Sequence, residues 1–412
     1  MSLTRAFVLM TCGLALFPVL KLNHFSMLMM VWFLTALILA YKNHSFEILK
    51  EQWKTILILG FFSVMYLVYL PFASDFKEME KLITKSFPFI IFPVGLLLNR
   101  FILTRSVMRS FAGIFIIATI FVNALGWWKI LIYGPAKTFA ENDFYHPLFR
   151  TFFSEGTSMH LPYLGLISSF AALCLVYRMC MRRSFHPAYS MAVVFLVASM
   201  YLYSARMAMG CFLAGLLFIM IKSVKKTAMV WGSIIGLPVV CIVLFWISPL
   251  KERYLTSINS EWVLPHEGQQ PHEVNYRYGI WYCAAGVAEQ NLLTGVGADK
   301  VQKELNSCYE GFTYKSYEDF TKVTYNTHNQ YLDQTLKFGI LGLLFFCFAW
   351  FYHVPGSSVL YQVFILVVAL GFLTENILDR QMGVVFVSLL NSIYVAYKLN
   401  SFEKGTRSRL AG

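Results

Sequence analysis

The sequence predicts an all-α integral membrane protein of about twelve transmembrane helices, with one large, partly helical loop between spans nine and ten. Three observations carry that reading. Hydrophobic residues make up 58% of the chain and charged residues only 14%, where an ordinary soluble domain has roughly 45–50% and about 25%. Apolar runs long enough to cross a hydrocarbon core of about 30 Å, which takes about 20 helical residues, recur from end to end. The short alternating segments of about ten residues that mark a β-barrel are not the pattern, which leaves helices to satisfy the backbone in lipid.

Taken in order, the spans are expected at approximately 4–20, 25–41, 55–73, 85–99, 110–133, 160–178, 187–203, 206–221, 228–249, 329–351, 357–374 and 381–397. The first follows a single Arg5 and lacks a small-residue cleavage site, so a retained helix is expected. Residues 187–221 form one apolar stretch of about 35 residues, which as a single helix would be about 52 Å long. No bilayer is that thick, so the stretch is expected to fold back at "LYSARMAMG", placing Arg206 at the edge of the bundle. Lys and Arg collect in every second short loop, at Lys42, Lys50 and Lys54, then Arg100, Arg105 and Arg109, then Arg178, Arg182 and Arg183, then Lys222, Lys225 and Lys226, and finally Lys398, Lys404, Arg407 and Arg409. Such loops stay cytoplasmic, which puts both termini inside. The formal charge of +12 is thus a topology signal that goes with membrane lipids, and it gives no support to nucleic-acid binding.

The two long outer loops are residues 134–159 and 250–328. The second is far longer than the roughly 12 to 15 residues beyond which a loop is usually functional or disordered. Within it, "NYRYGIWYCAAGVAEQNLL" has helical spacing and "LTGVGADKVQKEL" reads as a turn followed by a second helix. The chain is therefore expected to be one polytopic domain, 1–412, with 250–328 inserted as a folded loop. Gly295 and Gly297 belong to that turn; a phosphate loop would need a preceding strand and a G-K-[ST]. Of eight cysteines, six lie in or beside spans and suit buried packing, while Cys283 and Cys308 share the large loop at a spacing that does not decide whether they pair.

The chemistry gathers on the outer face. In "NTHNQYLDQTLKFGILGLLFF", Thr327 is expected to cap span ten and leave His328 in its first turn, where the positive end of the helix disfavours an imidazolium and keeps a proton acceptor. Asn329 could then orient a ligand or the ring. Arg277 opens the loop helix with Trp281 four residues on, on the same face. Glu375, in "FLTENILDRQMG", is the natural counter-charge for an arginine or histidine there. Two guanidiniums, an imidazole and a carboxylate suit a phosphorylated ligand: arginine forks match phosphate oxygens and can stabilise a leaving diphosphate, and a neutral histidine can deprotonate an attacking hydroxyl. No D-x-D pair or cluster of metal-ligand spacing lies on this face, so the arginines are expected to take a metal's role, with no metal or cofactor.

These stretches, "SARMAMG" around Arg206, "YRYGIWYCAAG" and "LLTGVG" around Arg277, "THNQYLDQTLKFGILGL" around His328 and "LTENILDRQMG" around Glu375, resemble the O-antigen ligase and O-antigen polymerase superfamily of bacterial inner-membrane glycosyltransferases. "MHLPYLGL", with His160 and Tyr163, is similar to a further stretch of that family. The resemblance implies transfer of a glycan from undecaprenyl diphosphate to a sugar hydroxyl on the periplasmic side, without a metal and with inversion at the sugar carbon. It implies that Arg206 and Arg277 hold the diphosphate and that His328 is the base, supported by Asn329, Glu375, His160, Tyr163 and Trp281. Ligation to a lipid A core is the first expectation, because Trp262, Tyr276, Tyr278, Trp281 and Tyr282 offer a wall for a large glycolipid acceptor. A polymerase extending a lipid-linked chain, a ligase to protein hydroxyls and, in a different class, a lipid-linked sugar flippase stay open.

Overall fold

A computed structural model describes residues 2–133, 147–182, 186–203, 205–223, 262–266, 275–313 and 320–410; every regular element among them is helical, with no strand. In chain order the principal helices are α1 (Leu3–Gly13), α2 (Leu22–Lys42), α3 (Trp53–Leu59), α4 (Phe61–Tyr69), α5 (Phe76–Ser86), α6 (Pro88–Leu98), α7 (Arg105–Tyr133) and α8 (Pro147–Thr157). They continue with α9 (Leu161–Arg182), α10 (Pro187–Leu202), α11 (Arg206–Ser223), α12 (Tyr276–Gln290), α13 (Val301–Thr313), α14 (Gln330–Phe351), α15 (Val359–Phe372) and α16 (Gln381–Leu410).

Among the described residues, seven helices are long and apolar enough to cross a membrane, and an eighth span is reached if α3 and α4, bent by 83° at Gly60, count as one. The expected twelve are not all shown among the described residues. The helices at the first, seventh and eleventh positions, Leu3–Leu16, Pro187–Leu202 and Val359–Phe372, have only 10–17 residues, short of the roughly 20 that a straight crossing takes. The segment at 228–249 lies outside the described residues, as do parts of both long loops. Span four instead starts early, at Phe76, because Asp75 caps it by accepting from Lys77 N and Glu78 N and the turns that follow bury Met79, Leu82 and Ser86. The fold-back required by length is present: α10 ends at Leu202 and α11 begins at Arg206. There Gly165 of α9 lets the chain approach closely, since a β-carbon on it would lie 2.8 Å from the Ala208 side chain and 2.9 Å from that of Ala205.

Two helices form the centre of the bundle, Leu161–Arg182 and Gln381–Ser401, each 72% buried over its apolar window. Phe170 of α9 packs edge-on against Phe364 of α15 at 5.3 Å and Phe386 of α16 at 6.4 Å, one node of a continuous apolar core. Helices α12 and α13 carry a second, smaller core of Ile280, Ala284, Val301, Leu305, Tyr309 and Phe312, joined by a Cys283–Cys308 disulfide and resting on Leu336 of α14. The turn after α12 locks this unit onto the bundle. Gly339 interrupts α14 with φ 66° and ψ −169°, and the two backbone groups on either side of the break find partners in that turn: Val296 N donates to Leu336 O and Ile340 N donates to Leu292 O, both at 2.8 Å. Gly295 and Gly297, with φ 72° and 100°, supply the left-handed backbone that the turn needs. Next to it, Asp299 accepts from the Tyr69 hydroxyl at 2.7 Å, from Ser74 N and Asp75 N at 2.8 Å and from the Ser74 hydroxyl at 2.9 Å. Burial pushes its carboxyl up, but these four donors outweigh it and hold it down at about 2.

Candidate active site

Arg206, Arg277, Trp281 and Glu375 come together around a cavity of about 500 Å³ where α9, α11, α12 and the turn between α15 and α16 meet. Arg206 is exposed at the first position of α11 and takes part in an interaction of its own. Arg277 sits at the second position of α12, whose start is set by Asn275 accepting from Tyr278 N. Nη2 of its guanidinium donates to Thr374 O at 3.3 Å and lies 3.4 Å from Glu375 Oε1. The Trp281 indole instead donates to Thr327 O at 3.1 Å, tying α12 to the turn that carries His328.

His328 is not in the first turn of α14. Asn329 is the N-cap, with its side chain accepting from Leu332 N, and the helix begins at Gln330. An asparagine suits that position as well as any residue, so Thr327 is released to donate to Asn329 O and to Asn376 Oδ1. His328 therefore stands before the helix, with φ 45°, its backbone N–H taken by the Asn326 side chain in a local turn. A non-glycine residue held in the left-handed region costs free energy that the surroundings must offset, and such positions cluster at functional sites. The imidazole does not line the cavity. It is linked to it by Glu375, whose Oε2 lies 3.3 Å from His328 Nδ1 while Oε1 faces Arg277. One carboxylate, 12% exposed, thus faces both the histidine and the arginine.

Other expected residues are placed differently. Tyr163 is buried and donates its hydroxyl to Asn376 O at 2.8 Å, bracing the Glu375 turn from behind. His160 lines a neighbouring open hollow of about 330 Å³ with Thr151, Ser154 and Glu155. Asn329 spends its side-chain oxygen on the helix cap. The aromatic wall is split: Trp262 and Trp281 line the main cavity, Tyr278 stands edge-on to Trp262 at 6.1 Å, Tyr276 packs against Phe320 and Tyr325, and Tyr282 borders a separate hollow of about 460 Å³. Sequence reasoning missed Arg150 of α8, which lines both the main cavity and the hollow beside it, with its Nε buried and without a hydrogen-bond partner among the described residues. It lies next to the 134–146 segment and carries no motif; only its place in an amphipathic helix could have drawn notice. Among the described residues no three His, Cys, Asp or Glu side chains converge as a metal-binding group would.

A multi-span helical protein with a cationic cavity at one end of its helices is the class these features define. Residues 191–347 match the family described as O-antigen ligase, so an O-antigen ligase domain is present there. The match takes in Arg206, Arg277, His328 and Asn329 and leaves Arg150, His160, Tyr163 and Glu375 outside it. A search of curated proteins found no match.

Proposed function

We propose that the protein is an inverting glycosyltransferase that moves a glycan from undecaprenyl diphosphate to a sugar hydroxyl of a lipid A core. The observation that carries this reading is the single carboxylate of Glu375 between Arg277 at the cavity and His328 beside it, within and adjoining an O-antigen ligase domain. With Glu375 ionised it can only accept, so Nδ1 of His328 carries the proton and Nε2 is left as the base. The acceptor hydroxyl gives its proton to Nε2 as its oxygen attacks the anomeric carbon, the bond from that carbon to the phosphate oxygen breaks, and the diphosphate leaves with the electron pair. Arg206 and Arg277 take up the charge that develops on it, and Arg150 adds a third guanidinium to the same wall. In this scheme the arginines do the work of a metal, and none is needed.

The site is assigned to the periplasmic side. The disulfide in the large loop suits an oxidising compartment, and the basic short loops suit the cytoplasm. We infer that the chain makes the expected twelve crossings, in one polytopic domain with 250–328 inserted. A polymerase that uses the same donor is the second reading, since Trp262 and Trp281 would face either acceptor equally well. Glycolipids extracted from a deletion strain separate the two. Polymer stranded on undecaprenyl diphosphate with a bare core is the expected result, and a core carrying one repeat unit would assign the chain to the polymerases. A glycolipid profile identical to the parent strain's would overturn both.

A further inference from the structure

Below the mouth of the site, α14 carries an ion pair inside the bundle. Asp333 and Lys337 lie 2.7 Å apart with side chains only 5% and 6% exposed. Taking two charges out of water is costly, and a well-packed apolar pair is often as stable or more so. An ionisable pair in a helix that crosses a membrane therefore calls for a use. Being four residues apart, the two partners join nothing but successive turns of one helix, so the use lies in what they hold.

Oδ2 of Asp333 accepts from three donors: Lys337 Nζ at 2.7 Å, Gln330 Nε2 at 3.2 Å and Gln334 Nε2 at 3.2 Å. The consequence is directional. Because the carboxylate only accepts, the Gln330 amide must turn its NH2 toward Asp333, which points its carbonyl oxygen the other way; that oxygen takes the Leu378 N–H at 2.8 Å. Leu378 lies three residues after Glu375, in the same turn. Lys337 reaches the Tyr66 hydroxyl of α4 at 3.3 Å. On either side of Lys337, Leu336 O and Ile340 N hold the turn that follows α12, the helix bearing Arg277.

We propose that the buried Asp333–Lys337 pair and Gln330 are positioning residues that set the Glu375 turn against His328. The proposal rests on the reading of His328 and Glu375 as base and partner. Asp333 fixes the sense of the Gln330 amide, Gln330 fixes Leu378, and the turn is completed by Thr327 on Asn376 and Tyr163 on the Asn376 carbonyl. Without the carboxylate the amide is free to flip, and the Leu378 N–H loses its acceptor.

Two variants of the full chain in lipid nanodiscs test this. Gln330→Met removes one neutral amide and leaves the ion pair. Asp333→Leu/Lys337→Met removes both charges together, so neither is left buried alone. Each is measured for deuterium uptake over residues 374–380 and for kcat and KM of glycan transfer. The expected result is faster exchange in that turn, kcat lower by about tenfold or more, as a displacement of about 1 Å can cost, and KM for the lipid-linked donor within about twofold of the parent's. Exchange unchanged in both variants overturns the proposal, as does faster exchange with kcat unchanged, and as does a loss of rate without a change in exchange. Failure of the underlying reading shows itself separately, as full transfer activity in His328→Ala, which leaves the exchange arm intact.

Discussion

Replacing Glu375 by glutamine keeps the size of the side chain and removes its charge. The carboxylate faces two partners at once, His328 Nδ1 at 3.3 Å and Arg277 Nη2 at 3.4 Å. A hydrogen bond to a charged group contributes roughly 1.5–3 kcal/mol, and distances at the long edge of the accepted range place these at the low end, about 1.5 kcal/mol each. Against His328 that is about tenfold in rate. The loss grows if the amide NH2 turns to the ring, because Nδ1 then becomes the acceptor and the proton moves to Nε2, the atom that should act as base. Against Arg277 the change runs the other way, since the guanidinium is released from its carboxylate and is freer to meet a diphosphate. The variant is thus expected to lower kcat by about tenfold or more while leaving KM for the lipid-linked donor unchanged or lower. Initial rates of glycan transfer by the purified protein, at varied donor and fixed saturating acceptor, check both. A kcat within about twofold of the parent's, or a loss carried wholly by a raised donor KM, would refute the placement of Glu375 between base and cation.

Arg206→Lys and Arg277→Lys are each expected to lose about tenfold or more in transfer, because an ammonium does not reproduce the planar fork; the double variant at full activity in the same assay would contradict the diphosphate site. Asp299, held at about 2 against an ordinary 3.8, contributes stability that is complete above the unfolded value and is lost as pH falls from about 4 toward 2; with partial exposure discounted, this is about 1 kcal/mol. Protection of amides over 292–300, corrected for the intrinsic exchange rate at each pH, should therefore fall on acidification to pH 3 in the parent, and Asp299→Asn should show the lowered protection already at pH 6. Removing the Cys283–Cys308 bridge, which closes a sequence separation of 25, should destabilise the α12–α13 unit by about 3 kcal/mol. Proteolysis of Cys283→Ala/Cys308→Ala within 276–313, compared with the parent, reads that loss.

What the sequence could show depended on whether a feature left a mark in residue type. The fold-back at Arg206 is legible because one helix of that length exceeds any bilayer, and Glu375 is legible as a counter-charge because a carboxylate beside arginines and a histidine is their natural partner. The break at Gly339 is not, since an apolar run reads the same whether straight or interrupted, and its partners, Leu292 and Val296, come from a distant loop. For the same reason the bend at Gly60 was counted as one ordinary span. The sequence places His328 two residues too deep because threonine and asparagine both cap helices well, and only tertiary contacts, Thr327 to Asn376, select asparagine. Asp333 and Lys337 are visible as a pair four apart, but their burial and their hold on Gln330 follow from packing against α4 and the Glu375 turn.

The central claim is that His328 takes the proton from a sugar hydroxyl while a lipid-linked diphosphate leaves. Single-turnover transfer with His328→Ala, purified in nanodiscs and in excess over the lipid-linked donor, tests it most directly. The account predicts a rate lower by about 10²–10⁴-fold, the usual cost of losing a general base, with donor affinity close to the parent's. A variant that keeps more than about a tenth of the parent rate, or that loses its rate only because the donor no longer binds, would contradict it.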